Sequence, residues 1–529
     1  MGIAKRLTSG KMRVHYELKR RFLVKLKSFF VIVLLTIATC AFAQTSSRAG
    51  DQEPKRFAYS VIDKNAQAMY DIGDSLYYFA EPGMQEFEST KLLKDTMEAA
   101  GFTVELGGAG MPTNFWAKWG SGRPHIVIGS EIDCLPGGSQ TPLDFTHKPL
   151  VPGAPGHMEG HNTMGAVAVT AAFAIKQTME RYHIPGTIAV SLGPAEEILG
   201  SRPFIVRAGY FKDVDAAITL HISDDFSTGY GLMTYAAIGT RFTFHGKTAH
   251  GAMAPWEGKN ALDAVELMDI GVAFLREQLH PTYRIHRSIP NGGLQPNIIP
   301  DLAQSWYFVR DTNMPDAKET WEKLVKIAEG AALMTGTTYD IQYQASAWPQ
   351  LSMKSLATVL QQNIDAIGMP TWTNEEQKFA RDFQTAMQVH VVGLKTGVTP
   401  LGKSPQSYAS NDIGDITWVV PTVNLRFPAS VPGINYHNWQ AGVTPTSTIA
   451  HKGELVGAKA VAATVIDMMT STELLKAARE EFDETTKKMP YFSLVPPDAT
   501  PDINMNREMM AKFRPEMSKF YLKKSPRFQ

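Results

Sequence analysis

Hydrophobic positions along this chain change their spacing several times, and each change marks a candidate element. From Val61 through Met69, Ile72 and Leu76 the apolar residues recur at helical spacing. A second such pattern covers Ser89 to Ala100 and ends at Gly101. Short apolar runs then predict strands from Asn114 to Lys118, His125 to Gly129, Thr187 to Leu192 and Ala216 to Leu220. Between them a stretch rich in small residues, Met164 to Thr178, predicts a helix. Strands alternating with helices predict an α/β protein with a mixed sheet covered by helices on both faces. Several polar and acidic clusters fall just after strand ends, where such sheets build their sites.

The rhythm changes near Tyr235. Thr240 to His245 alternates as a strand, Asn260 to Glu277 reads as a long amphipathic helix, and two strands flank Gly292-Gly293. A second helix, Ala317 to Leu333, leads to a strand from Thr337 to Gln344. That βαββαβ order predicts a compact inserted domain. The first pattern then resumes from about Met353 to Met469, and a charged helix with a Pro- and Met-rich tail follows. The expected division is a catalytic domain in two parts, 57–234 and 349–472, an insert at 235–348, and a C-terminal extension at 473–529. There is no repeat or low-complexity tract.

The N-terminus adds a separate signal. Lys19, Arg20, Arg21, Lys25 and Lys27 precede an apolar run from Phe29 to Ala38, and Ala41-Phe42-Ala43 stands before Gln44. Basic, apolar, then small-x-small is the order of a secretory signal peptide, here residues 1–43. The run falls short of the about 20 residues a membrane span needs, so no stable span is expected after cleavage. The chain is expected to be exported, periplasmic or secreted. Lipid anchoring at Cys40 and an uncut N-terminal anchor are the alternatives. Residues 44–56 are polar and read as a loose leader. After cleavage only Cys134 remains, so no intrachain disulfide is available. A chain of 529 residues instead stabilises itself through a large core. Its formal net charge is zero, which excludes a global basic field for nucleic acid.

The candidate chemistry lies in short clusters: Ser130-Glu131-Ile132-Asp133, Gly156-His157-Met158-Glu159-Gly160-His161-Asn162, Pro194-Ala195-Glu196-Glu197 and Thr219-Leu220-His221. A further one, Asn435-Tyr436-His437-Asn438, lies far downstream. Imidazoles suit zinc and its neighbours, while carboxylates suit manganese and can bridge two ions. On an extended segment Glu159 and His161 would point the same way. Adjacent Glu196 and Glu197 would diverge in a strand, one toward a metal and the other toward a water, giving a ligand and a general base. No nucleophile elbow, Walker loop or dinucleotide fingerprint competes with this reading.

Taken in order, further stretches make the chain recognisable: Glu81-Pro82-Gly83-Met84-Gln85-Glu86, Glu131-Ile132-Asp133-Cys134-Leu135-Pro136-Gly137, Gly160-His161-Asn162 and Pro194-Ala195-Glu196-Glu197. Asn260-Ala261-Leu262-Asp263-Ala264-Val265, Asn297-Ile298-Ile299-Pro300 and His451-Lys452-Gly453 continue them. The sequence resembles the aminoacylase-type branch of the dimetal carboxypeptidase family over roughly residues 60 to 470. The resemblance implies a metal-dependent amidohydrolase that cuts an N-acyl or N-aroyl amino acid, aminobenzoyl-glutamate-like, with water activated between two divalent ions, Mn²⁺ or Zn²⁺. It implies that Glu159 bridges both ions, that Glu197 and His437 complete one ion's ligands, and that His161 and His221 complete the other's. Glu196 is implied as the general base and Asp133 as a carboxylate that orients a ligand. The insert is implied as a lid and dimerisation domain, so a homodimer is expected, with His250 reaching a partner's site to stabilise the oxyanion. Asn297 and Arg310 match positions that hold a small substrate's carboxylate. A dipeptidase or carboxypeptidase, or an inactive secreted binding protein on the same scaffold, are the alternatives; the Glu196-Glu197 pair argues against the last.

One departure stands out, since the relatives usually carry Cys at the position of Glu159. His157 and Glu131 are candidate substitute ligands. Against these roles, Asn297 also reads as a turn former before Pro300, and Arg310 as a lid salt bridge. His286 reads as structural or rim-lining, Asp412 and Asp415 as buttresses, Cys134 as a small apolar residue, and Met505, Met509, Met510 and Met517 as packing.

Overall fold

The parallel heart of the molecule explains its longest uncharged runs. A computed structural model describes residues 52–529; the signal peptide expected at 1–43, with Cys40, lies outside the described residues. The strands are β1 (Thr103–Leu106), β2 (Phe115–Ser121), β3 (His125–Ser130), β4 (Gly186–Leu192), β5 (Ala216–Ser223), β6 (Ser227–Leu232), β7 (Ala236–His245), β8 (Arg284–Asn291), β9 (Leu302–Asp311), β10 (Thr338–Ala347), β11 (Leu351–Ser352), β12 (Gly402–Lys403) and β13 (Thr422–Pro428). The larger sheet runs β1-β2-β4-β3-β5-β13-β6-β11, with β12 beside β6. Its centre, β4, β3, β5 and β13, is parallel, and the flanks are antiparallel. Consecutive Ile126, Val127 and Ile128 are all fully buried, as expected where helices cover both faces.

On one face Val127, Ala189 and Ala217 meet Phe204, Ile205, Phe211, Ile416 and Val420. On the other, helix His161–Tyr182 packs against the sheet and against helix Thr448–Thr470. Ala166, Ala168, Ala171, Ala172 and Ala174 are all fully buried, so small side chains here let backbones approach closely. Parallel pairing also aligns the ends that carry the chemistry. Ser130 pairs with Leu192 and Gly129 with Thr219, so the segments after β3 and β4 emerge beside His221 of β5.

The predicted insert has the predicted order. β7, helix Ala261–Leu275, β8, β9, helix Met314–Thr335 and β10 form a four-stranded antiparallel sheet ordered β10-β7-β9-β8. Asn260 and Asn313 cap the two helices, accepting from Leu262 N–H and Asp316 N–H. Both helices cover one face, where Ala264, Val265, Met268, Leu324 and Ala328 pack on Phe242, Phe244, Tyr307 and Val309. Strand alternation therefore turns His286, Phe308 and Arg310 to the opposite face.

Two expectations need correction. Residues 44–56 are not all loose leader: a helix, Gln52–Lys64, begins inside that stretch and continues past Val61. The tail is built in rather than appended, because Met510 and Met517 join Ala80, Cys134, Val151 and Ala154 in one buried cluster. Ala58–Gln529 form one compact unit. Among the described residues no helix is long and apolar enough to cross a membrane.

Candidate active site

The clusters that are far apart in sequence converge at the ends of β3, β4 and β5. Local geometry there differs from the extended segments expected. Glu159 and His161 are separated by Gly160 at φ 99°, and His161 opens the helix His161–Tyr182. Any side chain at 160 would be strained by that φ, and its Cβ would lie 2.6 Å from Ile222. Glu196 and Glu197 likewise sit on a 3₁₀ turn, Glu196–Ile198, between Ala195 and Leu199, both left-handed. A turn separates the two carboxylates as a strand would, but by curvature rather than by pleat.

Glu159 is the meeting point. One of its carboxylate oxygens lies 3.2 Å from His221 Nε2 and the other 2.9 Å from His437 Nε2. His437 also approaches Glu197, at 3.3 Å. His161 stands 3.9 Å from both Glu196 and Glu197 and 3.5 Å from Asp133. Asp133 accepts the backbone N–H of Glu197 at 3.0 Å, tying two clusters together. His221 turns Nδ1 to the Ile222 carbonyl at 2.9 Å, which leaves Nε2 facing the site.

Charge is badly balanced in this space. Burial, then the neighbouring Glu131, pushes Glu196 well above the usual carboxylate range; burial and Glu159 do the same to Glu197. Glu159 is opposite in sign: burial works against its charge, but His221 and His437 outweigh it and hold it well below that range. Burial also opposes a charged His161, yet Asp133, Glu197, Glu159 and Glu196 hold it well above an ordinary imidazole. Only cations relieve such a cluster.

The donor set fits divalent metal. Ligand atoms of Glu159, Glu197 and His437 lie within 4.8 Å of one another, as do those of Glu131, His161 and His221, and of Asp133, His161 and Glu196. His161 Nε2 and Asp133 Oδ1 are buried without a hydrogen-bond partner. Imidazole nitrogen with carboxylate oxygen is chemistry that zinc and manganese both accept. The first group matches one expected ligand set in full. The second contains Glu131 beside His161 and His221, so Glu131 stands where a substitute ligand would. It is, however, engaged by the buried Arg202 at 3.1 Å and by Asn411 at 3.1 Å. His157 is not in the site: its Nε2 faces the Leu76 carbonyl at 3.1 Å, and burial lowers it to about 3.

A cavity of about 570 Å³ opens above these groups. Glu159, Glu196, Glu197, His221 and His437 form its floor, while His286, Phe308 and Arg310 of the second sheet face them. Arg310 has no carboxylate within ion-pair distance among the described residues, so it is not a lid salt bridge. Burial lowers it, an effect that Glu196 partly offsets. His286 lines the rim as expected, its imidazole lowered by burial and by Arg310, Arg276 and Arg284.

His250 and Asn297 are absent from this lining. They neighbour each other instead, joined by a bridge between His250 and Ile298 and by Gly251 N–H to the Asn297 carbonyl. His250 Nδ1 accepts from Ala252 and Met253 N–H groups, and Asn297 Oδ1 accepts from Gln295. The sequence reading missed Arg202, which is fully buried between Glu131 and Asp412. Its signal was an arginine opening the apolar turn Pro203-Phe204-Ile205-Val206. Asp412 buttresses as expected, accepting from Ser201 and Arg202 N–H groups. Asp415 accepts from Trp348 N–H and the Tyr491 hydroxyl.

Comparison with known proteins gives this arrangement a context. The model of peptidase family M20/M25/M40 matches residues 127–419. The chain is 34% identical to one of the two chain types of the p-aminobenzoyl-glutamate hydrolase of Escherichia coli (strain K12), over 85% of this chain and 99% of that one. It is 29% identical to the Xaa-Arg dipeptidase of Mus musculus, over 83% of this chain and 94% of that one. In three dimensions it resembles an aminobenzoyl-glutamate utilization protein from Klebsiella pneumoniae, with TM-score 0.54 and 15% identity. That likeness covers 77% of this chain and 97% of the other, and shows the shared fold.

Proposed function

Since this chain belongs to peptidase family M20/M25/M40 and is a metal-dependent amidohydrolase, we propose that it hydrolyses an N-acyl or N-aroyl amino acid with an acidic amino-acid half, aminobenzoyl-glutamate-like, using two divalent ions. The observation that carries this reading is Glu159, whose two oxygens address His221 on one side and His437 on the other. When bound, the two ions supply Lewis acidity and a water that ionises near neutral pH.

The chain's own residues do the rest. Glu197 with His437, and His161 with His221, hold the ions that Glu159 joins, and Asp133 orients this set through the Glu197 N–H. Glu196, beside His161 and open to the cavity, takes the water's proton and returns it to the leaving nitrogen. Arg310, without an internal ion pair, takes the substrate carboxylate through its two-pronged guanidinium.

The charge of the opposite wall separates the substrates of the two relatives. Arg276, Arg284 and Arg310 surround His286, a setting that repels an arginine side chain and favours an acidic one. We also propose that residues 235–348 act as a lid and dimerise, with His250 and Asn297 serving the partner's site. Their absence from their own cavity supports this, as do exposed Met253, Trp256 and Leu294 beside them. Export through residues 1–43 belongs to the same proposal, and cell fractionation tests it. The function itself is tested by amine release from aminobenzoyl-glutamate, N-acyl glutamates and Xaa-Arg dipeptides with manganese and with zinc. Turnover of the dipeptides alone overturns it.

A further inference from the structure

One aromatic side chain of the cavity is both open and held in place. Tyr408 lines the cavity on the loop after β12, and it keeps 61% of its surface exposed. Two neighbours fix its ring. Tyr235 meets it at a centroid distance of 5.1 Å and an interplanar angle of 61°, and the Arg284 guanidinium sits 4.6 Å from its centroid. Arg284 is itself anchored, donating to the carbonyls of Tyr283 at 2.7 Å, Thr282 at 3.3 Å and Pro281 at 3.4 Å.

The loop beneath Tyr408 is equally constrained. Ser407 N–H donates to the Met233 carbonyl at 2.8 Å, and Tyr235 N–H to the Ala409 carbonyl at 2.9 Å. Gln406 Nε2 bridges the carbonyls of Thr234 and Thr312 at 2.8 and 2.6 Å. Both ends of the second sheet therefore hold this loop, since Thr234 precedes β7 and Thr312 follows β9. A large ring left open to solvent gains nothing from this bracing unless something covers it. A ring already immobilised binds a flat partner with little further loss of conformational freedom.

We propose that Tyr408 is the specificity-determining residue for the acyl half of the substrate, and that this half is a flat aromatic ring. The inference rests on the proposed function, which places the scissile bond over Glu196 and the substrate carboxylate at Arg310. The acyl half then extends along the remaining wall, Thr234, Gln350, Tyr408 and Ala409, where Tyr408 is the aromatic surface. Phe308 does not substitute for it, because its ring is packed by Leu199, Ala237 and Ala345 and carries Arg310 at 5.6 Å. Arg284 is a positioning residue that acts through Tyr408.

Two pairs of ligands separate this inference from the activity on which it rests. The first pair is benzoyl-glutamate and acetyl-glutamate, read as the ratio of their kcat/KM values. The second is benzenesulfonyl-glutamate and methanesulfonyl-glutamate, which resist hydrolysis, read by calorimetry as a ratio of affinities to the metal-loaded protein. The parent should prefer the aryl member of each pair. Tyr408→Ala and Tyr408→Leu should lower both preferences about 3- to 10-fold, the range of an aromatic pair contact. Tyr408→Phe should keep them, which a role of the hydroxyl or of general folding would not predict. Absence of an aryl preference in the sulfonamide pair, or one that Tyr408→Ala leaves intact, overturns the inference. An aryl sulfonamide preference that depends on Tyr408, in a protein that hydrolyses neither amide, instead overturns the proposed activity and leaves the subsite standing.

Discussion

Glu159 faces two histidines with one carboxylate, and this makes it the most informative residue of the site. The relatives that the sequence resembles usually carry a thiolate there, a softer ligand that favours zinc and can be oxidised. Glu159→Ala should lose at least one bound ion by metal analysis. Glu159→Cys should keep part of the activity, shift its preference from manganese toward zinc, and become sensitive to peroxide. Two ions and normal turnover in Glu159→Ala would remove it from the ligand set, with Glu131 the next candidate. The neighbouring pair offers a second test. Glu196→Ala should keep its metals and lose about 10²–10⁴-fold in turnover, whereas Glu197→Ala should lose metal. The reverse assignment in metal analysis refutes the mechanism. At this scale the sequence identified the side chains that meet, because their chemical types are unusual in an uncharged setting. It misread the backbone beneath them. An extended segment and the observed turns space adjacent carboxylates similarly, and only the left-handed Gly160, Ala195 and Leu199 distinguish the two.

Among elements, the loop 81–86 and the C-terminal helix Arg507–Met517 show how distant segments hold the site. Gly83 packs so closely on Ala195 that a Cβ would lie 2.8 Å from its Cα, and Glu86 accepts the Ala195 N–H at 2.9 Å. The tail grips this loop in turn: Arg514 pairs with the fully buried Glu81 at 2.8 Å, and Asn506 donates to the Gly83 carbonyl at 3.0 Å. Burial raises Glu81 from 4.5 to about 7, although Arg514 and the N–H groups of Ser89 and Glu88 pull it down. A carboxyl raised by folding stabilises the fold below its unfolded value, and that contribution disappears as pH climbs through about 7. Arg514→Met removes the opposing cation and raises Glu81 further, so the penalty should fall on the alkaline side. Thermal unfolding should show little loss near pH 5 and about 3 kcal/mol near pH 8.5. An equal loss at both pH values would mean that Arg514 matters only as packing. The tail's charged helix was legible in sequence, but its grip on residues 81–86 was not, since a contact across more than 400 residues leaves no periodic trace.

For the molecule as a whole, the open question is how many chains make one site. His250 and Asn297 sit together but outside their own cavity, among exposed Met253, Trp256, Leu294 and Ile298. If His250 serves a partner, Glu196→Ala chains mixed with His250→Ala chains should regain activity, because one site of each mixed dimer is complete. Loss of an oxyanion donor costs about 10²–10³-fold, so the recovery is measurable. Mixed dimers without recovery would place His250 in the site of its own chain or outside the reaction. The sequence by itself determined the alternation of strands and helices, the βαββαβ order of the insert and the residue types of the site. Each of these is a local property, carried by apolar period or by side-chain chemistry within a few positions. Only the tertiary structure decided the rest. It set Arg202 against Glu131, turned His157 away to the Leu76 carbonyl, braced Tyr408 with Arg284, and brought Met510 and Met517 against Cys134. Those outcomes depend on which strand ends become neighbours in a parallel sheet and which loops close packing covers. Pairing between segments hundreds of residues apart is selected by burial of the whole core, not by the spacing of residues along any one segment.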